Sequence, residues 1–178
     1  MSSDRRLLER KHLYSGRVIQ VQVDKIVLPS GSEVIREVVL HPGGAVALAI
    51  RENGNILFVR QPRYPLGQDM DLLELPAGKL DPGEDPAVTV ARELEEETGF
   101  RARTIRPLCS FYTSPGFCNE LLHLYLAEDL SPTQQNLEHD EQISVEQYSL
   151  SEALQMIRDG KIRDAKTIIG LLWSKALL

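Results

Sequence analysis

The segment from Asp85 to Gly99 constrains this chain more than any other, because it carries both boundaries of a helix together with an acidic load that helix stability alone does not favour. Asp85 is a capping residue type, Pro86 suits the first helical position and Gly99 supplies a C-terminal stop. At 3.6 residues per turn, Ala87, Ala91 and Leu94 form an apolar stripe that needs a sheet to cover. Glu93, Glu95, Glu96 and Glu97 crowd the last turn. Like charges one turn apart cost roughly 0.2–0.5 kcal/mol each, and the helix dipole adds roughly 0.3–1 kcal/mol per acid. A hard divalent cation removes both penalties, since Mg²⁺ binds oxygen ligands and keeps waters for substrate phosphates. The pattern therefore predicts a cation site, and a helix end that is locally frayed without metal. A bare acidic run is more often a solvated face, so the surrounding sequence must decide.

Around this helix the chain alternates strand and turn signals. "RVIQVQVDKIVL", Arg17 to Leu28, alternates Ile19, Val21 and Val23 with Gln20, Gln22 and Asp24, the periodicity of a strand. "PSGS" turns the chain into a second strand, Val34 to Leu40, and "HPGG" then interrupts before "AVALAI". Asn53-Gly54 predicts a tight hairpin joining "AVALAI" to "ILFV". A loop spans Pro65 to Asp69, and a short apolar "LLEL" follows. Later strands are expected in "RPLCSFYTS", "LLHLYLA" and "ISVEQYS", with an acidic loop from Glu128 to Glu141 between the last two. Helices near Ser151 to Asp159 and Ala165 to Leu177 close the chain. Strands and helices in this order predict an α/β or α+β sandwich. Residues 1–42 read as a small N-terminal sheet and 43–178 as the main domain.

At 178 residues the chain fits one globular domain with a small appendage, and its net charge of −6 with no basic stripe excludes a general nucleic-acid binder. No apolar run approaches a membrane span. "MSSDRRLLERKHL" is charged where the core of a leader would follow, so a cytoplasmic address is expected, with Cys109 and Cys118 as reduced thiols.

The context of the acidic run is specific. It reads Gly78, five residues, Glu84, seven residues, then Arg92-Glu93-Leu94-x-Glu96-Glu97-x-Gly99-Phe100. This resembles the Nudix box at every specified position, and typical residue usage gives about one chance match in 10⁹ windows. The resemblance implies a Nudix-type α/β/α sandwich with a mixed central sheet, preceded by a small N-terminal antiparallel sheet. It also implies hydrolysis of a nucleoside diphosphate linked to another group, with Mg²⁺, or Mn²⁺ as a substitute. By position Glu93 and Glu97 are metal ligands, Glu96 shares or supports the metal and the Ala77 carbonyl completes a site. Arg92 and Glu84 hold the ligating carboxylates. "RQPRYP", "ELPAGKL", "SPGFCNE" and "GKIRDAKTIIGLL" are similar to segments of the ADP-ribose pyrophosphatase subgroup, in which the N-terminal sheet is exchanged within a homodimer.

That subgroup implies substrate roles for Arg36 and Glu37 on the adenosine side and for Arg63 at phosphate or ribose. Lys79 enters from the box, and Ser114, Pro115, Gly116 and Glu120 from the SPGF loop. Glu141 matches the loop acid that orients or deprotonates water, or else serves as a further metal ligand. His139 stands where some members carry another Glu, so Glu138 and Asp140 remain alternatives for the same role. His41, His123 and Trp173 are expected to be structural, with Tyr14 and Phe117 as packing or base contacts. The implied substrate is ADP-ribose, cleaved to AMP and ribose 5-phosphate. The alternatives are other nucleoside diphosphate sugars or a non-catalytic sensing module, which the intact box disfavours; neither nucleic acid nor membrane is a partner.

Overall fold

The computed structural model describes residues 6–67 and 70–177, so Asp69 at the end of the expected loop lies outside the described residues. It divides into two compact units. One contains the chain up to Gly43 together with Tyr112–Leu121, and the other contains Gly44–Phe111 and the chain from Leu122 onward.

The first unit holds three strands, β1 (Arg6–Ser15), β2 (Gln20–Val27) and β3 (Glu33–Leu40), paired antiparallel in that order. β1 went unread in the sequence because its charged residues hide any alternation. β2 does alternate, but Gln22 and Asp24 are its buried residues, while Val21 and Val23 are half-buried. Arg10 explains the inversion: its Nε and Nη2 donate to the two Asp24 oxygens at 2.8 and 2.7 Å, which makes the polar face tolerable inside. Gly31, with φ of +85°, makes the turn between β2 and β3.

The second unit has two sheets. β4 (Gly44–Ala49) lies antiparallel to β7 (Ala77–Lys79) and parallel to β9 (Leu121–Pro132), whose other neighbour is β8 (Phe100–Tyr112). β5 (Ile56–Pro62) sits between β6 (Asp71–Glu74) and β10 (Ser144–Tyr148). A turn forms here, but it is centred on Glu52-Asn53 and closed by Gly54 N–H to Arg51 O at 2.8 Å, and the expected hairpin does not extend from it. β4 and β5 share only the Ile50–Ile56 bridge and then enter different sheets. Both strands are apolar on two faces, so each is stabilised more by a covered sheet position than by pairing with the other.

β4 sets the layers. Ala45, Ala47 and Ala49 point to one core with Leu57, Tyr125 and Ala127, and their small side chains admit helix α1 (Pro86–Thr98) through Val90 and Leu94. Val46 and Leu48 point the other way, into a core with Phe58, Leu73 and Leu124 that helices α2 (Leu150–Arg158) and α3 (Ala165–Leu177) close through Ala153 and Leu171. The result is an α/β/α sandwich. On α1 Leu94 is fully buried and Ala87 packs on the same core as expected, but Val90 rather than the half-buried Ala91 completes the stripe.

The segment Glu74 to Gly78, which leads into β7, is tied at each residue. Glu74 is 1% exposed and accepts from Arg63 Nε and Nη2, each at 2.7 Å, and from Lys166 Nζ. Leu75 N–H donates to Thr167 Oγ1 at 2.8 Å, and Thr167 Oγ1 donates to Asp164, the residue ahead of α3, at 2.6 Å. The Pro76 carbonyl accepts from Ala47 N–H at 2.8 Å, and Ala77 N–H donates to Glu97 Oε2 at 2.9 Å. A Cβ on Gly78 would lie 1.9 Å from Glu93 Cδ. Burial alone would push the Glu74 carboxyl up, but Arg63 and Lys166 outweigh it and hold it below the ordinary 4.5.

Glu74→Gln should cost about 3 kcal/mol in urea unfolding, the low end for a broken buried pair, because Lys166 keeps Asp164 and Arg63 is partly solvated. The wild-type contribution of Glu74 is present above its unfolded value and is lost as pH falls through its lower folded value, so the wild-type advantage over Glu74→Gln shrinks on acidification below 4.5. Gly170→Ala tests the packing of α3. The new Cβ would meet Leu75 Cδ1 at 2.4 Å, so overpacking of about 1–3 kcal/mol opposes a helix-propensity gain of about 1 kcal/mol, and a net loss of stability is expected in thermal unfolding.

Candidate active site

Helix α1 has the boundaries that its sequence specifies. Asp85 accepts from Ala87 N–H, Pro86 opens the helix, and Gly99 takes a left-handed conformation with φ of +69°. Its last turn brings Glu93 and Glu97 to the Glu74–Gly78 segment: Glu97, 3% exposed, bonds the Ala77 amide, and Glu93 lies over Gly78. Only glycine leaves room for that carboxylate, which explains the first position of the box.

Arg92 balances part of the charge. Its Nη1 donates to Glu93 Oε1 at 2.8 Å and Glu96 Oε2 at 3.2 Å, and its Nη2 to Glu84 Oε2 at 3.4 Å. Burial works against the guanidinium, but Glu93 and Glu84 outweigh it and raise it, so it stays charged. Glu84 is in turn fixed by Thr89 Oγ1 at 2.7 Å and the Asp81 amide at 3.2 Å, which hold it below the ordinary carboxylate value. Arg92 and Glu84 thus orient the acids around them.

One guanidinium is not enough for the rest. Burial pushes Glu97 up to about 8, against the pull of the Ala77 amide and with help from the charges of Glu93 and Glu141. Burial raises Glu93 as well, although Arg92 opposes it. A buried carboxylate, Glu97, beside a half-buried one, Glu93, with incomplete compensation, offers the hard oxygen donors that a divalent cation favours. Among the described residues no three His, Cys, Asp or Glu stand ready as an ion cluster. The Ala77 amide occupies Glu97 Oε2 and Arg92 occupies Glu93 Oε1, which fixes each carboxylate by one oxygen.

In the structure the carbonyls at the helix end accept hydrogen bonds. Gly99 N–H returns to Glu95 O at 2.9 Å, Asn136 N–H donates to Glu96 O at 2.9 Å, and Gln135 Nε2 donates to Glu97 O at 2.7 Å. Donors from the stretch after β9 satisfy carbonyls that would otherwise repel the acids, and Arg101 pairs with Glu95 at 2.8 and 2.9 Å. Glu141 lies further along that stretch, where its Oε2 accepts Glu138 N–H at 2.8 Å.

The other sequence-derived candidates fall elsewhere. Arg63 spends two nitrogens on Glu74, and Lys79 is exposed at the end of β7. In the first unit, Arg36, Glu37, Pro115 and Gly116 line a pocket of about 440 Å³ with Tyr112, Phe117 and Asn119. Its loop is docked on β3: Val39 N–H donates to Phe117 O at 2.7 Å and Asn119 N–H to Val39 O at 3.2 Å. Ser114 turns the loop by accepting from Phe117 and Cys118 amides, and Glu120 accepts from Thr113 Oγ1 at 2.6 Å with His41 Nδ1 at 3.4 Å. Trp173 is 39% exposed rather than core, and Tyr14 and Phe117 are exposed too. Sequence reasoning missed Glu74, Lys166 and Thr167, although Asp164 ahead of Ala165 is a cap signal for α3. It also missed Gln135, which sits in a polar loop with no periodic signal.

Known proteins resemble the chain in sequence and in fold. The family model described as NUDIX domain matches residues 40–169. The chain is 43% identical to a methanol dehydrogenase activator of Bacillus methanolicus over 94% of this chain and 91% of that protein. It is 40% identical to an ADP-ribose pyrophosphatase of Bacillus subtilis (strain 168), over 93% of this chain and 90% of that one. A crystal structure of an ADP compounds hydrolase superimposes with a TM-score of 0.85 over 98% of this chain and 94% of that chain at 18% identity, a likeness of fold. The box signature, the helix end that it builds and a family match across most of the sequence lead to one conclusion: the chain belongs to the Nudix family.

Proposed function

We propose that this protein is a Mg²⁺-dependent pyrophosphohydrolase that splits ADP-ribose into AMP and ribose 5-phosphate. The observation that carries the reading is the pair of carboxylates on the end of α1, Glu97 buried and Glu93 half-buried, with only Arg92 among the described residues in contact to balance them, beside the tied segment Glu74–Gly78. The name carried by the Bacillus subtilis relative supports the choice of substrate. Glu93 and Glu97, with Glu96 and the Ala77 carbonyl, would hold the ion. Bound there, Mg²⁺ or Mn²⁺ neutralises pyrophosphate charge and lowers the pKa of water.

The chain's own groups supply positioning. Arg92 holds Glu93 and Glu96 in place, and Glu84, fixed by Thr89, holds Arg92. Glu141 is the base we favour over Glu138 and Asp140: the Glu138 amide occupies its Oε2, so Oε1 remains to accept a proton from the attacking water. Arg36 and Glu37, the residues proposed for the adenosine side, line a pocket of the first unit with Pro115 and Gly116, and Ser114 and Glu120 shape its loop. Lys79 is exposed and offers its charge to phosphate, and Arg63 serves chiefly through Glu74.

A homodimer fits the first unit. All ten residues of β1 are exposed, among them Leu13 at 63% and Tyr14 at 57%, on an edge strand whose apolar surface would be relieved by a second copy. Residues 1–42 would then be the exchanged subdomain and 43–178 the hydrolase domain. Reduced Cys109 and Cys118 suit a cytoplasmic address. No helix among the described residues is long and apolar enough to cross a membrane.

Glu97→Gln should lower kcat on ADP-ribose by more than about a hundredfold, a loss above about 2.7 kcal/mol, and should abolish the Mg²⁺-induced rise in Tm seen with wild type. Equal rates for the two proteins would remove the metal assignment. Because the carboxyl must lose its proton to bind a cation, and burial lifts it to about 8, Mg²⁺ affinity measured by calorimetry should rise with pH up to that value, with protons released on binding. A panel of ADP-ribose, ADP-glucose and GDP-mannose compared by kcat/KM decides the substrate, and preference for either of the last two replaces our reading with the broader nucleoside diphosphate sugar hydrolase. Sedimentation showing only monomer would overturn the dimer.

A further inference from the structure

The end of α1 is held by two kinds of donor. Thr133 and Asn136 use backbone N–H groups, toward Gly99 O at 2.7 Å and Glu96 O at 2.9 Å, which most residue types at those positions would supply equally. The third donor is a side chain and therefore a choice of sequence: Gln135 Nε2 donates to the Glu97 carbonyl at 2.7 Å. The same Nε2 lies 3.5 Å from the carbonyl of Ile143, just before β10, a long bond that uses its second hydrogen.

One amide group thus meets the helix that carries Glu93 and Glu97 and both ends of the stretch 135–143. That stretch holds Glu138, Asp140 and Glu141, and it is internally braced, since Glu141 Oε2 accepts Glu138 N–H at 2.8 Å and Glu141 N–H donates to Glu138 O at 3.1 Å. A braced stretch moves as a piece, so the contact that locates it on α1 also locates the Glu141 carboxylate. Neither the box nor the SPGF segment includes Gln135.

We propose that Gln135 is a positioning residue for hydrolysis, whose side-chain amide sets the placement of the acidic stretch bearing Glu141 against the metal-binding end of α1. The proposal rests on the hydrolase reading above and adds a residue to it. Gln135 acts through Glu141 and touches neither substrate nor metal. Its chemistry is specific: methionine matches the length but has no donor, whereas lysine keeps donors and brings a positive charge that suits a helix C-terminus.

The test compares wild type, Gln135→Met and Gln135→Lys on ADP-ribose, ADP-glucose and GDP-mannose at saturating Mg²⁺, using for the kinetics the substrate that wild type cleaves best. Gln135 is an exposed residue, so neither substitution removes core packing. The Met variant should lose about ten- to a hundredfold in kcat, as misplaced supporting groups do, with KM within about twofold of wild type. The Lys variant should recover most of that loss. Hydrogen exchange should quicken at the amides of Asn136, Glu138 and Glu141 in the Met variant, remain near wild type in the Lys variant, and be unchanged at Val90 to Leu94 in both. A Met variant with wild-type kcat, or an equal loss in both variants, overturns the proposal. Wild type that cleaves none of the three substrates refutes the hydrolase reading instead, and the positioning proposal falls with it, even if exchange still shows Gln135 holding the stretch.

Discussion

The bond from the Ala77 amide to the Glu97 carboxylate is the interaction on which the site depends. It joins the last turn of α1 to the strand entering the box, and it forces a carboxylate into a place where only 3% of the residue meets solvent. One hydrogen bond of ordinary worth, about 1.5–3 kcal/mol to a charged group, does not compensate that burial. The upward shift of Glu97 shows the shortfall. The fold thus spends stability from elsewhere to keep a site that lacks positive charge, and the two layers of apolar contacts around β4 are where that stability arises.

The same logic explains why the neighbouring charges are paired so carefully. Glu74 is as buried as Glu97, yet it has Arg63 and Lys166 and is held low rather than high. Two residues, Leu75 and Pro76, separate a carboxylate with two cations from an amide whose acceptor has no ion pair among the described residues. The first serves architecture, tying β6 to α3 through Lys166, Asp164 and Thr167. The second is the kind of incompletely satisfied group that marks a site for a ligand.

The helix itself was legible almost to the residue, because cap, proline and terminal glycine are local signals that burial does not override. The remaining strands were legible in position but not always in orientation. β1 escaped because Arg6, Glu9, Arg10 and Lys11 break any alternation, and β2 reversed its faces because Arg10, distant in sequence, neutralises Asp24. β4 and β5 were read as a hairpin since Asn-Gly fixes a turn, whereas sheet membership depends on which strands arrive later to pair. Among site residues, the box announced its members by spacing. Glu74 was visible as a letter in "ELPAGKL" without its role, and Gln135 was invisible, because a long-range side-chain bond leaves no periodic trace.

Gln135 also changes how the acidic helix end should be understood. Placed on an isolated helix, Glu93 to Glu97 face four unsatisfied carbonyls, and repulsion would open the last turn. In the folded chain the carbonyls of Glu95, Glu96 and Glu97 accept hydrogen bonds from Gly99, Asn136 and Gln135, so the local dipole is largely answered before any ion arrives. What remains uncompensated is side-chain charge, concentrated on Glu93 and Glu97. On the proposed reading a cation entering there would not need to rescue the helix; it would act on carboxylates already held in place, Glu97 by the Ala77 amide and Glu93 by Arg92. Preorganisation of this kind lets binding energy go to the substrate's phosphates rather than to folding a loop, which is the condition under which electrostatic stabilisation of a developing charge is largest.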